Sequence, residues 1–370
     1  METRYEPSYW EQVHFRSPYD LVVIGAGLVG QSAALFYKQL NPAARVLVIE
    51  RSFAPFGAST RNAGFTCIGS ITELEADLET EEEDVLRKRI ARRYKGLQLL
   101  RETLSDQAIG YQPVGGIEIF RDEDGFRCAF EHVDRFNAWI KEDVGARATF
   151  SNDTFFGKKV IMNRLEGAIH TGKMMRTLHS QCQKAGVDFL WGNEINHLEL
   201  SANELTTNQN LHIRYHQCAV CTNAFTKTVL PNSRIVPGRG YVFVTRPLEV
   251  MKWKGTFHYD RGYIYFRNIG SDQILLGGAR NVDEEGETTT AFGVNPSIKK
   301  HLIDFANEML ELEEGWEIEM EWSGIMGYTP TKEPFLSRVS EQVVAAVGLS
   351  GMGVALGMQL GKETCELLCD

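Results

Sequence analysis

The clearest hydrophobic pattern in the chain is a pair of unbroken apolar runs joined through a helix. Leu21-Val22-Val23-Ile24 and Val46-Leu47-Val48-Ile49 show no polar alternation, which predicts parallel strands buried on both faces. Between them Gly25-Ala26-Gly27-Leu28-Val29-Gly30 makes a turn, and an apolar-rich helix runs to about Leu40, stopped by Asn41-Pro42. A second strand, turn and helix close the chain: Val343 to Val347, then Gly348-Leu349-Ser350-Gly351-Met352-Gly353, then a helix from Val354 to Leu368. Parallel αβ patterning also returns mid-chain, as a helix from Thr171 to Ala185 ended by Gly186, then strands Val187 to Leu190, Glu194 to Leu200 and Leu211 to Thr222.

Elsewhere the pattern turns antiparallel. Short runs at Tyr241 to Thr245, Gly255 to Tyr259, Tyr263 to Arg267 and Gln273 to Gly277, separated by turn residues, predict a sheet of their own. In the third run Tyr263, Tyr265 and Arg267 alternate onto one face and Ile264 and Phe266 onto the other, so the polar face either lines a pocket or meets solvent. Tyr111 to Phe120 predicts a strand pair around Gly115-Gly116, and Phe126 to Lys141 a helix. From Glu73 to Asp84 eight of twelve residues are acidic, and six basic residues follow between Arg87 and Lys95. Because Leu86, Ile90, Tyr94, Leu97 and Leu104 recur near helical spacing, this stretch predicts a solvated amphipathic helix rather than a binding surface.

Length and charge narrow the picture. At 370 residues the chain is long for one core and suits two domains. Its net charge of -10 argues against a nucleic-acid surface. The residues ahead of Asp20 mix charges with aromatics, unlike a signal peptide, and no apolar run reaches membrane-spanning length, so a cytoplasmic protein without an integral membrane segment is expected. Seven irregularly spaced cysteines predict free, idle thiols and no metal site.

The first glycine turn is where chemistry enters. It fits G-x-G-x-x-G between a buried strand and a helix, so a dinucleotide pyrophosphate is expected at the helix N-terminus, against unpaired N–H groups and the positive end of the helix dipole. Glu50, twenty residues past Gly30, is placed to accept from ribose hydroxyls and would repel the extra phosphate of NADP. Gly57-Ala58-Ser59-Thr60-Arg61-Asn62-Ala63-Gly64 is either a tightly packed loop or a second wall of the cofactor site. One cofactor long enough to meet both glycine-lined helix starts explains their duplication. FAD has that length, and the last helix N-terminus would stabilise negative charge on the reduced flavin.

Together with Leu275-Leu276-Gly277-Gly278 and Trp322-Ser323-Gly324, these stretches resemble the FAD-dependent D-amino-acid oxidase superfamily, which includes glycine oxidase, sarcosine oxidases and γ-glutamylputrescine oxidase. Ser8-Tyr9-Trp10 and the Arg61-Asn62 pair look most like the last branch. The resemblance implies α/β plus α+β architecture of the glutathione-reductase type. A Rossmann-like FAD-binding domain is expected from 1–75, 155–230 and 322–370, and an antiparallel-sheet substrate domain from 76–154 and 231–321. It also implies Gly25, Gly27, Leu28, Val29, Gly30, Glu50 and Arg51 on the adenosine half, and Ala58, Ser59, Arg61, Asn62, Ala63 and Gly64 toward pyrophosphate and ring. Ile195 is expected near adenine, Thr222 and Asn223 beside the cofactor's middle, and Gly324, Gly351, Met352, Gly353 and Val354 about the flavin.

Two departures from the family pattern matter. No arginine follows the Trp322-Ser323-Gly324 turn to clamp a substrate carboxylate; Arg280, Arg267 and Arg239 are the candidate replacements. Met326 stands where some sarcosine oxidases carry a flavin-linking cysteine, and a thioether cannot form that link, so non-covalent FAD is expected. The reaction implied is oxidation of a C–N bond in a small amine or amino acid, with hydride passing to flavin N5, imine hydrolysis, and reoxidation by oxygen or another acceptor. Orientation alone lowers such a barrier by roughly 7–11 kcal/mol, so no catalytic base is assigned. Tyr263, Tyr265, Arg280 and Tyr328 are the candidate substrate-pocket residues. The alternatives are C–O oxidation of a 2-hydroxy acid or glycerol-3-phosphate, and modification of a tRNA base, which the acidic charge disfavours.

Overall fold

The computed structural model describes residues 8–369, and the chain separates into two units. Unit 1 joins the chain up to Thr60, Gly172–Pro237 and the chain from Met326 onward; unit 2 joins Arg61–Thr171 and Gly238–Ile325. The first boundary falls at Thr60 rather than at 75 because residues 61–72 are bonded into unit 2: Phe65 bridges Ala168, and the Ile68 and Gly69 amides donate to Glu166 at 2.8 and 3.0 Å. Residues 155–171 stay with the same unit because the Lys158–Asn163 strand pairs with both Phe150–Phe155 and Gly116–Glu118.

Unit 1 is built on a sheet whose strands run, in spatial order, Phe335–Arg338, Val343–Val347, His212–Val220, Tyr19–Ile24, Val46–Glu50 and Val187–Trp191. All neighbours in that order are parallel except Phe335–Arg338, which is antiparallel to Val343–Val347. The chain leaves Tyr19–Ile24 toward one side for Val46–Glu50 and later returns on its other side at His212–Val220. The order therefore reverses at this strand, and ligands of open α/β sheets bind outside the carboxyl ends at such a point. Burial explains the unbroken apolar runs: Leu21, Val22, Val23, Val46, Val48, Val343 and Val344 are fully buried. A strand absent from the sequence expectation, Glu204–Thr207, pairs with Ile195–Glu199 and His212–Val220.

Unit 2 holds an eight-stranded sheet in the order Ile318–Tyr328, Val236–Thr245, Gln273–Gly278, Ile264–Ile269, Thr256–Tyr259, Gly116–Glu118, Lys158–Asn163, Phe150–Phe155. It is not wholly antiparallel, since Thr256–Tyr259 pairs parallel with Gly116–Glu118. One face packs Phe243, Phe257, Phe266 and Leu276 against Ile298, Leu302 and Phe305 of the Pro296–Glu308 helix, with Phe257 and Phe266 stacked at 4.6 Å. Each such side chain contributes about 1.5–3 kcal/mol by leaving water. The other face sets Val242 and Leu275 against Ala63 and Phe65.

The expected strand pair at Tyr111 to Phe120 is a single short strand, and the expected helix at Phe126 to Lys141 is two, Glu123–Phe130 and Val133–Val144. The acid-rich stretch also departs from expectation. Its helix spans Glu83–Leu104, but Asp77, Arg89 and Arg93 are buried, Arg89 pairing with Asp77 at 2.9 Å and with Glu81. Part of what reads as a solvated face is thus an internal ionic network. Among the described residues, no helix is long and apolar enough to cross a membrane, and no cluster of His, Cys, Asp and Glu has the make-up of a metal site.

Candidate functional site

In unit 1 the first glycine turn is dictated by contacts at atomic distance. Gly25 has φ +106°, and a Cβ there would stand 2.8 Å from the Cys221 carbonyl oxygen. A Cβ on Gly30 would lie 2.0 Å from the Gly25 carbonyl oxygen, so only glycine lets the helix start this close to the strand. The Leu28–Leu40 helix has Gly27 as its N-cap without a side-chain cap. The Ser59 hydroxyl accepts from the Leu28 amide at 2.9 Å, which ties the start of the Gly57–Gly64 run to this helix end. Glu50 closes the corner, its two carboxylate oxygens accepting from the Ala26 amide at 3.0 Å and the Ser52 amide at 3.1 Å. Those bonds fix the carboxylate and leave each oxygen a further lone pair for a hydroxyl.

The second glycine-lined helix, Gly353–Cys369, packs directly on the first. A Cβ on Gly357 would meet Leu28 Cδ2 at 2.6 Å, and one on Gly361 would meet Ser32 Cβ at 2.4 Å. Both contacts advance by four residues in the same direction, so the helices run parallel and present their N-termini at one end, Gly353 lying about one turn, or 5.4 Å, beyond Gly357. A Cβ on Gly351 or on Gly353 would meet no protein atom within 4 Å. The φ of +88° accounts for glycine at 351, whereas packing within the protein does not demand one at 353. Two helix ends with amides facing the same side, one bordered by such open space, fit the pyrophosphate and an anionic ring edge of a single extended cofactor. Asn223, at φ +47°, braces the second corner by accepting from the Gly348 amide at 3.1 Å.

Unit 2 begins with the rest of the small-residue run. Arg61 donates to the Ser323 carbonyl at 2.7 Å and lies 4.9 Å over the Phe292 ring, and burial holds its pKa below the ordinary value. Trp322 Nε1 donates back to the Arg61 carbonyl at 3.0 Å, and a Cβ on Gly324 would touch Arg61 Cβ at 3.2 Å. Asn62 Oδ1 accepts from the Gly64 amide at 2.9 Å, forming a compact turn. Behind it Arg267 Nη1 donates to the carbonyls of Gly64 and Ile169, each at 3.0 Å.

The family described as FAD dependent oxidoreductase (DAO) matches residues 20–367. The chain belongs to this family. The probable oxidoreductase OrdL of Haemophilus influenzae is 22% identical over 94% of this chain and 82% of its own length. The D-amino acid dehydrogenase of Helicobacter pylori is 21% identical over 95% of each chain. The crystal structure of iminodiacetate oxidase from Chelativorans sp. superposes with a TM-score of 0.76 at 16% identity, covering 94% of this chain and 95% of the other.

In this FAD-dependent oxidoreductase the remaining expected residues are dispersed. Arg51 is exposed, stacks 3.7 Å over Phe225 and pairs with Glu194 at 3.9 Å. Ile195 is buried in the apolar core of unit 1, and Thr222 Oγ1 donates to Thr226. Val29 and Val354 are likewise buried, Ala58 opens a short helix, and Met352 bonds within its own turn to Leu349. Of the expected pocket residues, Tyr328 lies in unit 1 with its hydroxyl 3.8 Å from Met326 Sδ, and the other three lie in unit 2. Tyr263 does not alternate with Tyr265 and Arg267: it precedes the strand, which begins at Ile264, and is 45% exposed. Arg280 is paired to Glu284 at 2.9 Å. Tyr265 is half-buried, edge-on to Phe65 at 5.6 Å.

Sequence reasoning missed the group that anchors residues 68–72. Glu166 accepts from Ile68, Gly69 and Asn163 and meets His258 Nε2 at 2.8 Å, while Glu118 accepts from the Ile71 and Thr72 amides at 2.9 and 3.2 Å. All of these carboxylates and the imidazole are buried. A signal was present for two of them, since Ile117-Glu118-Ile119 and Phe257-His258-Tyr259 each enclose an ionisable residue between apolar strand positions.

Proposed function

We propose that this oxidoreductase oxidises the C–N bond of a small amine or amino acid, with FAD held without a covalent bond. The observation that carries the cofactor reading is the parallel packing of the two glycine-lined helices through Gly357 and Gly361, which turns both N-termini to one end. When bound, FAD supplies a two-electron acceptor. Gly27, Leu28 and the Glu50 carboxylate would hold its adenosine and pyrophosphate half, and the amides of Gly353 and Val354 would face negative charge at its other end. Met326, a thioether, offers no nucleophile for attachment. The C–N reading is supported by relatives named as a D-amino acid dehydrogenase and an iminodiacetate oxidase. A cytoplasmic location suits the seven cysteines, all of which are free.

Purified protein should be yellow, and acid precipitation should release the colour into the supernatant; colour retained by the precipitate would refute non-covalent binding. Under anaerobic conditions a panel of amines, N-methyl amino acids and 2-hydroxy acids should separate the chemistries. Bleaching by an amine or amino acid with release of ammonia or a smaller amine is the expected result. Bleaching by 2-hydroxy acids alone would replace C–N by C–O oxidation.

A further inference from the structure

All seven cysteines are free, and their surroundings differ. Cys182, Cys218 and Cys221 are buried, and burial raises each of these thiols. Cys128 is exposed on the Glu123–Phe130 helix of unit 2. Cys365 and Cys369 lie four residues apart on the Gly353–Cys369 helix of unit 1. A four-residue step rises about 6 Å and keeps both side chains on one face, with Cβ atoms about 5–6 Å apart. The two thiols share a hydrogen bond. Cys365 is 1% exposed, and burial, followed by the neighbouring Cys369 sulfur, pushes its thiol up to about 12. Cys369 is exposed, and Asn41 Nδ2 reaches its sulfur at 4.0 Å. One sulfur is therefore open to a reagent, and the other is held dry against it. The turn that carries them is tied at two carbonyls, Leu368 accepting from Gln217 and Leu367 from Arg338.

We propose that Cys365 and Cys369 form a reversible redox pair, a modification site that reacts with small-molecule disulfides and closes to an intramolecular disulfide. Two exchanges complete the step. Cys369 attacks one sulfur of the reagent as the thiolate, the reagent's S–S bond breaks, and its other half leaves as a thiol with the proton Cys369 gave up. Cys365 then attacks the Cys369 sulfur, the mixed bond breaks, and a second thiol leaves with the Cys365 proton. Two electrons pass from the pair to the reagent. Because the two thiols are already hydrogen-bonded, the second exchange is intramolecular and outpaces attack by an external thiol. A disulfide needs Cβ atoms about 3.5–4.5 Å apart, closer than one helical turn sets them. The helix must therefore tighten at Leu368 and Cys369, its final residues, against the bonds from Gln217 and Arg338. A link under that strain is readily reduced, which suits a switch rather than a structural crosslink. It also closes only a short loop, so it adds little stability through chain entropy. None of this depends on which bond the enzyme oxidises.

The test treats the FAD-loaded full-length protein with excess glutathione disulfide at about pH 8 and maps each cysteine by peptide mass spectrometry. The peptide holding Cys365 and Cys369 should lose two hydrogens and carry no glutathione, and reduced glutathione should restore it. Cys128, exposed and with no second cysteine on its helix, should instead hold glutathione as a mixed disulfide. In Cys365→Ser, Cys369 should accumulate the mixed disulfide that the wild type resolves. In Cys369→Ser, the buried Cys365 should stay free. Arg338→Ala releases one tie on the last turn and should raise the crosslinked fraction at a fixed glutathione ratio roughly 2- to 10-fold, the worth of one hydrogen bond. Glutathione retained on Cys369 in the wild type overturns the proposal, as does a pair left fully reduced under excess reagent. A disulfide joining either residue to another cysteine or to a second chain overturns it too. An unchanged fraction in Arg338→Ala overturns the strained turn on which reversibility rests.

Discussion

The two units secure their functional segments by opposite means. Unit 1 shapes its corners with backbone: Gly25, Gly30, Gly357 and Gly361 let main chain and helices approach, and apart from Glu50 no charge joins the turn contacts described above. Unit 2 fixes residues 61–72 with buried charge, through Glu166, Glu118, His258, Arg93 and Arg267, drawn from a loop, strands and a helix far apart in sequence. A backbone cradle fails when an atom is added. A buried ionic scaffold fails when an atom is removed, because the partner left behind is charged and dry.

The strongest way to break this contrast is to delete a charge in unit 2. Glu166→Leu strands His258 and frees the amides of Ile68 and Gly69, so a loss of roughly 3–5 kcal/mol is expected in denaturant unfolding. Binding of ADP, which needs only the corner of unit 1, should persist in protein that remains folded. The complementary change is Gly30→Ala, whose Cβ would meet the Gly25 carbonyl oxygen at 2.0 Å. It should cost about 1–3 kcal/mol by overpacking and abolish ADP binding by calorimetry. Retention of ADP by Gly30→Ala, or its loss in folded Glu166→Leu, would erase the distinction.

The contrast also explains what the sequence disclosed. Unit 1 was legible because a strand buried on both faces must be apolar throughout, and a turn this crowded must be glycine: Leu21 to Gly30 and Val343 to Gly353 each carry both signals. The buried charges of unit 2 were not, since Asp77, Arg89 and Arg93 look from the chain like any solvated helix face, and only tertiary partners make them internal. Tyr263 misled because strict alternation was extended one residue past the real start of the strand, onto the last residue of the Asp260 to Tyr263 turn. The pairing of Gly116–Glu118 with Thr256–Tyr259 is parallel and spans over a hundred residues, which no local pattern encodes.

A smaller effect follows from titration. Burial draws the His258 imidazole down, but Glu166, then Glu73 and Glu118, outweigh it and hold its pKa above the ordinary 6.5. Burial likewise lifts Glu118 above 4.5 against hydrogen bonds from Thr72. In both cases the native state binds more protons than the unfolded chain, so their stabilisation is full at low pH and is lost as pH rises through the folded values. The His258 share is full below 6.5 and fades above it. Melting temperatures from about pH 5 to about pH 9 should therefore decline less steeply above 6.5 in His258→Gln than in wild type. Parallel curves would show that the imidazole is not linked to folding.

The smallest expected effect is the most discriminating for substrate recognition. Arg280 carries its own counter-ion, with the Glu284 carboxylate 69% exposed, and an ion pair of that kind is worth about 0–1 kcal/mol. Arg280→Ala should thus change stability by no more than that and leave the KM for an acidic amine within about twofold. Arg267 of the same unit differs: it sits in an inner strand of the sheet and bonds carbonyls, whereas Arg280 stands in the turn after the neighbouring strand with a carboxylate already answering its charge. A tenfold rise in KM for Arg280→Ala would mean that the Glu284 pair opens for substrate.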